Sequence, residues 1–257
     1  MPQPRLESQV SLTILAVVVA TALLSMLVYA WRGKRRDSDA EGKGAQLFLG
    51  MGDFLLHWFL WAVDPAVGLS LRLGLTPDFY NFAGLALGIL SGIFIVMGEL
   101  ELGGWAIAVG GVCDILDGRI ARVTGVASAY GDFIDSTLDR YVEVFAFLGL
   151  VLFLRPTPYG PLLAATAMAG SLIVSYARAR GEVHGVTCSG GLMQRGERLL
   201  LTCLVCLVDP PLTARLGWPM GTVVQWVLAL IAAATFVTAA HRTVWISLQL
   251  RGSRTRV

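Results

Sequence analysis

This sequence is short of charge. Asp, Glu, Lys and Arg make up 15% of its 257 residues, against about a quarter in an ordinary soluble domain. Hydrophobic residues make up 55% and the mean hydropathy is +0.67. A soluble globular domain and a disordered chain are both excluded by that balance. Cysteine is scarce as well, at four residues, which gives no framework for a disulfide-stapled secreted module. Cys203 and Cys206 form a C-x-x-C inside an apolar run with no second pair nearby. They read as structural, as do Cys113 and Cys188. There is no internal repeat, no low-complexity tract and no collagen-like period. What the chain does have is long apolar runs. At about 20 residues per membrane span, its length allows six to eight helices.

The first run, 10–31, contains no charge and is followed at once by Arg32, Lys34, Arg35 and Arg36. A cleaved signal peptide carries its basic residues before the apolar core, so residues 1–31 read as an uncleaved N-terminal transmembrane anchor. Residues 32–45 read as a cytoplasmic linker. Segment 46–75 is rich in Trp, Phe and Leu but is interrupted by Asp53, His57 and Asp64. It reads as an amphipathic helix lying in the membrane interface. Six further runs follow, near 79–98, 105–126, 131–154, 160–179, 199–208 (extended back through Arg198 and Glu197) and 221–248. They define a domain of six membrane helices over 76–248, with a basic tail at 249–257. Of the 20 Lys and Arg, 17 then fall on or near the cytoplasmic side. That asymmetry supports seven spans with the N-terminus outside.

The remaining acids are not scattered. A carboxylate at the centre of a membrane helix costs about 2.5–3.5 kcal/mol on translocon scales. Yet Asp114, Asp117, Asp132, Asp135 and Asp139 lie within two successive runs. The i, i+3 spacing of Asp114 and Asp117, and the i, i+4 spacing of Asp135 and Asp139, put each pair on one helix face. Joined by a short turn, the two helices are expected to pack as an antiparallel pair with four carboxylates in one cleft. Such a cluster calls for hard divalent cations with oxygen ligands, and two ions about 3.5–4 Å apart suit phosphoryl transfer. Arg119 and Arg122 are placed to complement a phosphate beside them. Gly118 and Gly131 disfavour a helix; a ligand approaching the backbone explains both, and close helix–helix packing is the alternative for either alone. Asp132 reads as a helix cap or a support for the metal site. Tyr141 and Glu143 are candidates to line it.

Asp114-x-x-Asp117-Gly118-x-x-Ala121-Arg122, then eight residues, then Gly131-x-x-x-Asp135-x-x-x-Asp139, resembles the signature of the CDP-alcohol phosphotransferase family. The resemblance covers roughly residues 46–248 and leaves the first helix outside. It implies an all-α integral membrane protein: a six-helix bundle with an extra N-terminal transmembrane helix and an interfacial amphipathic helix. It implies transfer of a phosphatidyl group from CDP-diacylglycerol to an alcohol, with release of CMP. Asp114, Asp117, Asp135 and Asp139 would hold Mg²⁺ or Mn²⁺, as two ions, and Asp139 would be the general base. Asp117, Gly118, Ala121, Arg122, Gly131 and Asp135 would surround the CDP-lipid. A homodimer in a prokaryotic cytoplasmic membrane, with the active site facing the cytoplasm, is also implied; a nucleic-acid partner is not.

A second basic cluster bears on the acceptor. Tyr176, Arg178, Ala179, Arg180 and Glu182, followed by Arg195, Glu197, Arg198 and Leu199, resemble two segments of the phosphatidylinositol-phosphate synthase branch. In that branch, residues matching Arg178, Arg198 and Arg242 bind the acceptor phosphate. Positive loops also arise from topology alone, but Arg198 and Arg242 lie in or next to apolar runs. The acceptor is therefore expected to be inositol phosphate. Glycerol 3-phosphate, serine or another alcohol remain alternatives within the same chemistry, and a cation transporter using the intramembrane acids is the alternative from another class. Thr76-Pro77-Asp78 resembles the family's Thr-Pro-Asn helix entry, with Asp in place of Asn.

Overall fold

The structure, a computed structural model, describes residues 6–31, 52–188 and 190–254. Among the described residues it contains eight helices and no strand: α1 (Leu6–Trp31), α2 (Gly52–Arg72), α3 (Pro77–Val96), α4 (Leu100–Thr124), α5 (Ala129–Phe153), α6 (Gly160–Val183), α7 (Arg195–Leu216) and α8 (Thr222–Arg254). Each expected span has its helix. The expected linker 32–45, the start of the interfacial segment and the last three residues of the tail lie outside the described residues. Helix α8 runs through residues 249–254, so the described part of the tail is helical. Helices α1, α3, α6, α7 and α8 are long and apolar enough to cross a membrane. Helices α4 and α5 fall short of that apolarity because they carry the acids and arginines of the motif.

Helix ends follow local chemistry. Thr76 Oγ1 accepts from the Phe79 amide at 3.3 Å and Pro77 occupies the first turn, which starts α3. Gly125, at φ 71°, ends α4 in the left-handed conformation. Ser128 then caps α5 by accepting from the Gly131 amide at 3.2 Å. The α4–α5 connection is thus short, as the sequence requires.

The expected antiparallel α4–α5 pair is not how these helices pack. They touch each other little, and both pack extensively against α3. The physical reason is glycine. A Cβ at Gly92 would stand 2.5 Å from the Phe145 carbonyl oxygen, and one at Gly149 would stand 2.7 Å from the Gly92 carbonyl oxygen. The α3 and α5 backbones are therefore in direct contact, the close approach that small residues permit in membrane bundles. With α3 taking the space between them, α4 and α5 leave their carboxylate-bearing ends facing a cleft instead of each other.

Helices α6 and α8 form a second close pair and α7 lies against α4. The apolar core, with Ile95, Leu100, Leu150, Leu154, Val224 and Leu228, gathers at the end of the bundle away from the acids. There Asp209, fully buried in α7, accepts from the backbone amides of Gly221, Val223 and Val224 at 2.7–3.1 Å. Its oxygens satisfy helix-start amides that would otherwise lack partners.

Helix α2 buries His57, Leu60, Val63, Val67 and Ser70, one stripe at helical spacing. Val63 and Val67 pack on Leu116 and Ile120 of α4. Asp64 of α2 pairs with buried Arg119 of α4. Helix α1 lies against α7 and α2, with Leu15 on the apolar core; two indole bonds, Trp105 Nε1 to Ser11 Oγ at 3.0 Å and Trp58 Nε1 to Ser25 Oγ at 2.9 Å, and the packing of Tyr29 on Phe54 and Trp61 help to hold it.

Candidate active site

The acid-bearing ends of α4 and α5 meet the start of α7. One carboxylate oxygen from each of Asp114, Asp135 and Asp139 lies within 4.8 Å of the others. Asp135 Oδ1 is buried and has no hydrogen-bond partner among the described residues. An orphaned carboxylate oxygen beside two more is poorly satisfied by protein alone and suits a hard cation that prefers oxygen ligands. The residues present therefore fit a divalent ion. Asp117, one turn from Asp114, is buried but is not one of these three. With Asp114, Asp139, Tyr80 and Asn81 it lines a narrow cleft of about 20 Å³.

Two larger cavities open from this cluster. One, of about 630 Å³, is lined by Asp117, Gly118, Ala121, Arg122, Gly131 and Asp135, together with the Thr76–Pro77–Asp78 entry of α3. All six positions expected around the CDP-lipid thus border one space. A Cβ at Gly131 would meet only Ser128 Oγ, at 3.7 Å, so no neighbouring helix requires glycine there. At Gly118 the nearest group is the Arg122 guanidinium, the movable end of a long side chain, at 3.3 Å.

The other cavity, of about 1020 Å³, lies on the far side of the acids between α5, α6, α7 and α8. It is lined by Asp139, Arg178, Arg195, Arg198 and Arg242, with Ser136, Thr137, Tyr141 and Gln194. Asp132 borders both cavities. The three arginines expected at an acceptor phosphate all line this space, in different ways. Arg178 is half-exposed and donates from Nε to Glu182 at 2.8 Å. Arg242 is buried and donates to the carbonyls of Gly190 and Val174 at 3.0 and 3.2 Å. Arg198 is almost fully buried and engages Glu143 with two bonds, 2.7 and 3.2 Å long. It is a committed partner of a buried acid, with only its edge turned to the cavity.

Two expectations are corrected here. Arg119 borders neither large cavity and pairs with Asp64, so it does not stand beside the acids to meet a phosphate. The reason is helical phase: Arg119 follows Asp117 by two positions and points to another face. Glu143 is buried beneath the acceptor-side cavity as the counter-ion of Arg198. The sequence places Arg195 only in the acceptor-side basic cluster, and the structure sets it against the acids as well. Its guanidinium reaches Asp114 Oδ1 at 3.1 Å and also pairs with Asp139. Gln194 and Glu197 cap each other's backbone around it. That Gln-x-x-Glu spacing was the available signal, because it fixes Arg195 as the first residue of its helix.

The sequence profile described as CDP-alcohol phosphatidyltransferase matches residues 75–250. The chain belongs to the CDP-alcohol phosphatidyltransferase family. It is therefore an enzyme of that class and an integral membrane protein. It is 32% identical over 191 residues to the phosphatidylinositol phosphate synthase of Mycobacteroides abscessus, covering 72% of this chain and 83% of the relative. It is 31% identical over 160 residues to the archaetidylinositol phosphate synthase of Pyrococcus horikoshii, covering 60% of this chain and 80% of the relative. The crystal structure of Mycobacterium tuberculosis phosphatidylinositol phosphate synthase with CDP-DAG bound superimposes with a TM-score of 0.62 at 27% identity, covering 71% of this chain and 92% of that one. The same enzyme in complex with manganese and citrate gives a TM-score of 0.61 at 28% identity, covering 70% and 88%. Like those structures, this family member is an all-helical membrane bundle; helices α1 and α2 both precede the residues that the profile matches, so the match begins later than the expected 46.

Proposed function

We propose that this protein transfers a phosphatidyl group from CDP-diacylglycerol to inositol phosphate and releases CMP. One observation carries the reading: the carboxylate cluster stands where two cavities meet. One is bordered by the signature residues and the other by Arg178, Arg195, Arg198 and Arg242. A nucleotide-lipid on one side and a phosphorylated polyol on the other would place their reacting atoms at the acids between them. The similarity to phosphatidylinositol phosphate synthases and to archaetidylinositol phosphate synthases points to the same acceptor.

In this reading Asp114, Asp117, Asp135 and Asp139 hold Mg²⁺ or Mn²⁺, as two ions. Bound there, the metal neutralises the pyrophosphate and stabilises the departing CMP. Asp117, Gly118, Ala121, Arg122, Gly131 and Asp135 hold the donor, with Gly131 leaving room for it against the backbone. Arg178, with Arg242 and the cavity-facing edge of the buried Arg198, holds the acceptor phosphate; guanidinium forks suit that geometry. Asp139, bordering the acceptor-side cavity, takes the proton of the acceptor hydroxyl. The oxygen then bonds to the phosphorus that carries the diacylglycerol, and the bond from that phosphorus to CMP breaks.

The asymmetry of the basic residues supports a cytoplasmic site with the N-terminus outside; similarity to bacterial and archaeal enzymes supports a prokaryotic cytoplasmic membrane, and the Trp-rich α2, whose Leu71 borders the donor-side cavity, suits the membrane interface. The family resemblance supports a homodimer, which crosslinking in membranes would test. The function itself is tested with purified protein, CDP-diacylglycerol, Mg²⁺ or Mn²⁺, and a panel of inositol phosphate, inositol, glycerol 3-phosphate and serine. CMP release is expected to be fastest with inositol phosphate. No release with any acceptor would overturn the transferase reading, and preference for glycerol 3-phosphate or serine would overturn the acceptor.

A further inference from the structure

Arg195 is placed unlike the other arginines at this end of the bundle. Arg178, Arg198 and Arg242 border the acceptor-side cavity alone, whereas Arg195 borders both that cavity and the narrow cleft between the acids. Its Nη1 lies 3.1 Å from Asp114 Oδ1 on α4 and pairs with Asp139 Oδ2 on α5. These are two of the three residues whose oxygens cluster within 4.8 Å. Its position is over-determined from behind. The backbone ahead of it is tied to α8, where Thr238 Oγ1 accepts from the Leu192 and Met193 amides at 3.1 Å. Arg198, one turn on, is locked to Glu143. The Gln194–Glu197 capping box fixes the first turn of α7 itself.

We infer that Arg195 is a positioning residue for the transfer: a fixed cation that shares Asp114 and Asp139 with the divalent ion and holds the Asp139 carboxylate at the mouth of the acceptor-side cavity. The inference rests on the transferase reading and adds a role within it. Two consequences of opposite sign follow from the geometry. A cation bonded to ligand oxygens competes with metal for them and offsets their charge, so it lowers metal affinity. The same bonds fix the direction in which Asp139 faces, and small misplacements of a catalytic group are expensive in rate. Removing Arg195 should therefore tighten metal binding and slow the chemistry together. A residue that served only to hold the fold would weaken both.

The test uses the full-length protein in detergent, with Arg195→Gln and Arg195→Lys. Mn²⁺ affinity is read without substrates from the paramagnetic resonance of free Mn²⁺, and kcat and KM are read from CMP release. Arg195→Gln is expected to bind Mn²⁺ roughly tenfold tighter and to lose on the order of 100-fold in kcat, with KM for CDP-diacylglycerol unchanged. Arg195→Lys keeps the charge and loses the fork. Its Mn²⁺ affinity should stay within about twofold of the parent protein, and its kcat should fall between the parent and the Gln variant. Weaker Mn²⁺ binding in Arg195→Gln, or an unchanged kcat, would overturn the inference. If the Gln variant does not fold, the Lys variant decides: a kcat equal to the parent's, or a weakened Mn²⁺ affinity, overturns it. Failure of the parent protein to release CMP would instead overturn the transferase reading, and the Mn²⁺ measurements, which need no turnover, would judge the shared-ligand geometry separately.

Discussion

The Glu143–Arg198 pair offers the sharpest test of how the acceptor side is built. Both side chains are almost completely buried, and two bonds of 2.7 and 3.2 Å join them across α5 and α7. Arg198 Nη1 also reaches the Met193 carbonyl at 3.4 Å, so the pair helps to hold the chain leading into α7. Replacing Glu143 with Met leaves a guanidinium buried without its counter-ion. Breaking a buried pair from one side costs about 3–5 kcal/mol. For a chain of this size about 1 kcal/mol moves Tm by roughly 2–4 °C, so a fall in Tm of roughly 6–20 °C is expected for Glu143→Met in detergent. The double variant Glu143→Met, Arg198→Met removes both charges. Replacing a whole buried pair by apolar side chains is often neutral or stabilising, so its Tm should return to within a few degrees of the parent. Its use of inositol phosphate should not return, because the cavity has lost the edge of Arg198. The assay is a thermal melt of each variant beside CMP release as a function of inositol phosphate concentration. A Glu143→Met protein that melts with the parent, or a double variant less stable than either single one, would refute the reasoning.

Four further outcomes follow from the same geometry. Asp139→Asn should abolish CMP release while CDP-diacylglycerol still binds, measured by retention of labelled lipid; retained turnover would remove Asp139 as the base. Gly131→Ala should leave Tm unchanged or slightly raised, since its Cβ meets only Ser128 Oγ at 3.7 Å and alanine favours a helix by about 0.5–1 kcal/mol. Its KM for CDP-diacylglycerol should nonetheless rise, and a parent-like KM would mean that no ligand approaches there. Gly92→Ala drives a Cβ to 2.5 Å from the Phe145 carbonyl and should destabilise by about 1–3 kcal/mol, read as a lower Tm with a lower yield of folded protein. Asp209→Ala orphans three helix-start amides in the core and should lose about 1–3 kcal/mol without changing KM for either substrate.

The membrane fold was legible in the sequence because each helix announces itself by local chemistry. Apolar length marks α3, α6, α7 and α8, the Thr76-Pro77 entry starts α3, and Ser128 starts α5. The carboxylates were legible for the same reason: i, i+3 and i, i+4 spacings determine a helix face whatever the helix packs against. Packing partners are non-local, and there the reading erred. Nothing in the acidic segment says that α3 stands between α4 and α5. The information lies in Gly88 and Gly92 on one helix and Gly149 on another, and it becomes visible only when the helices are brought together. Arg119 shows the same limit. Its type and neighbourhood suggested a phosphate ligand, but its partner, Asp64, is 55 residues away on α2.

The arginines make the point more generally. A sequence presents Arg178, Arg195, Arg198 and Arg242 as one basic cluster, and the bundle gives them different surroundings. Arg178 stays half-exposed, Arg242 is held by carbonyls, Arg198 is neutralised by a buried acid, and Arg195 lies against the candidate metal ligands. Charge alone would make them interchangeable phosphate donors. Their counter-charges make them different, because a guanidinium already bonded to a carboxylate has fewer donors left and a smaller net field to offer an anion. Arg178, paired only at an exposed rim where such a bond is weak, is therefore the arginine whose loss should raise KM for the phosphorylated acceptor with the least effect on Tm. Arg198→Ala should raise that KM and lower Tm together. Kinetics and melting measured on both variants distinguish the two roles, and equal Tm losses would show that the burial difference between them carries no energetic weight.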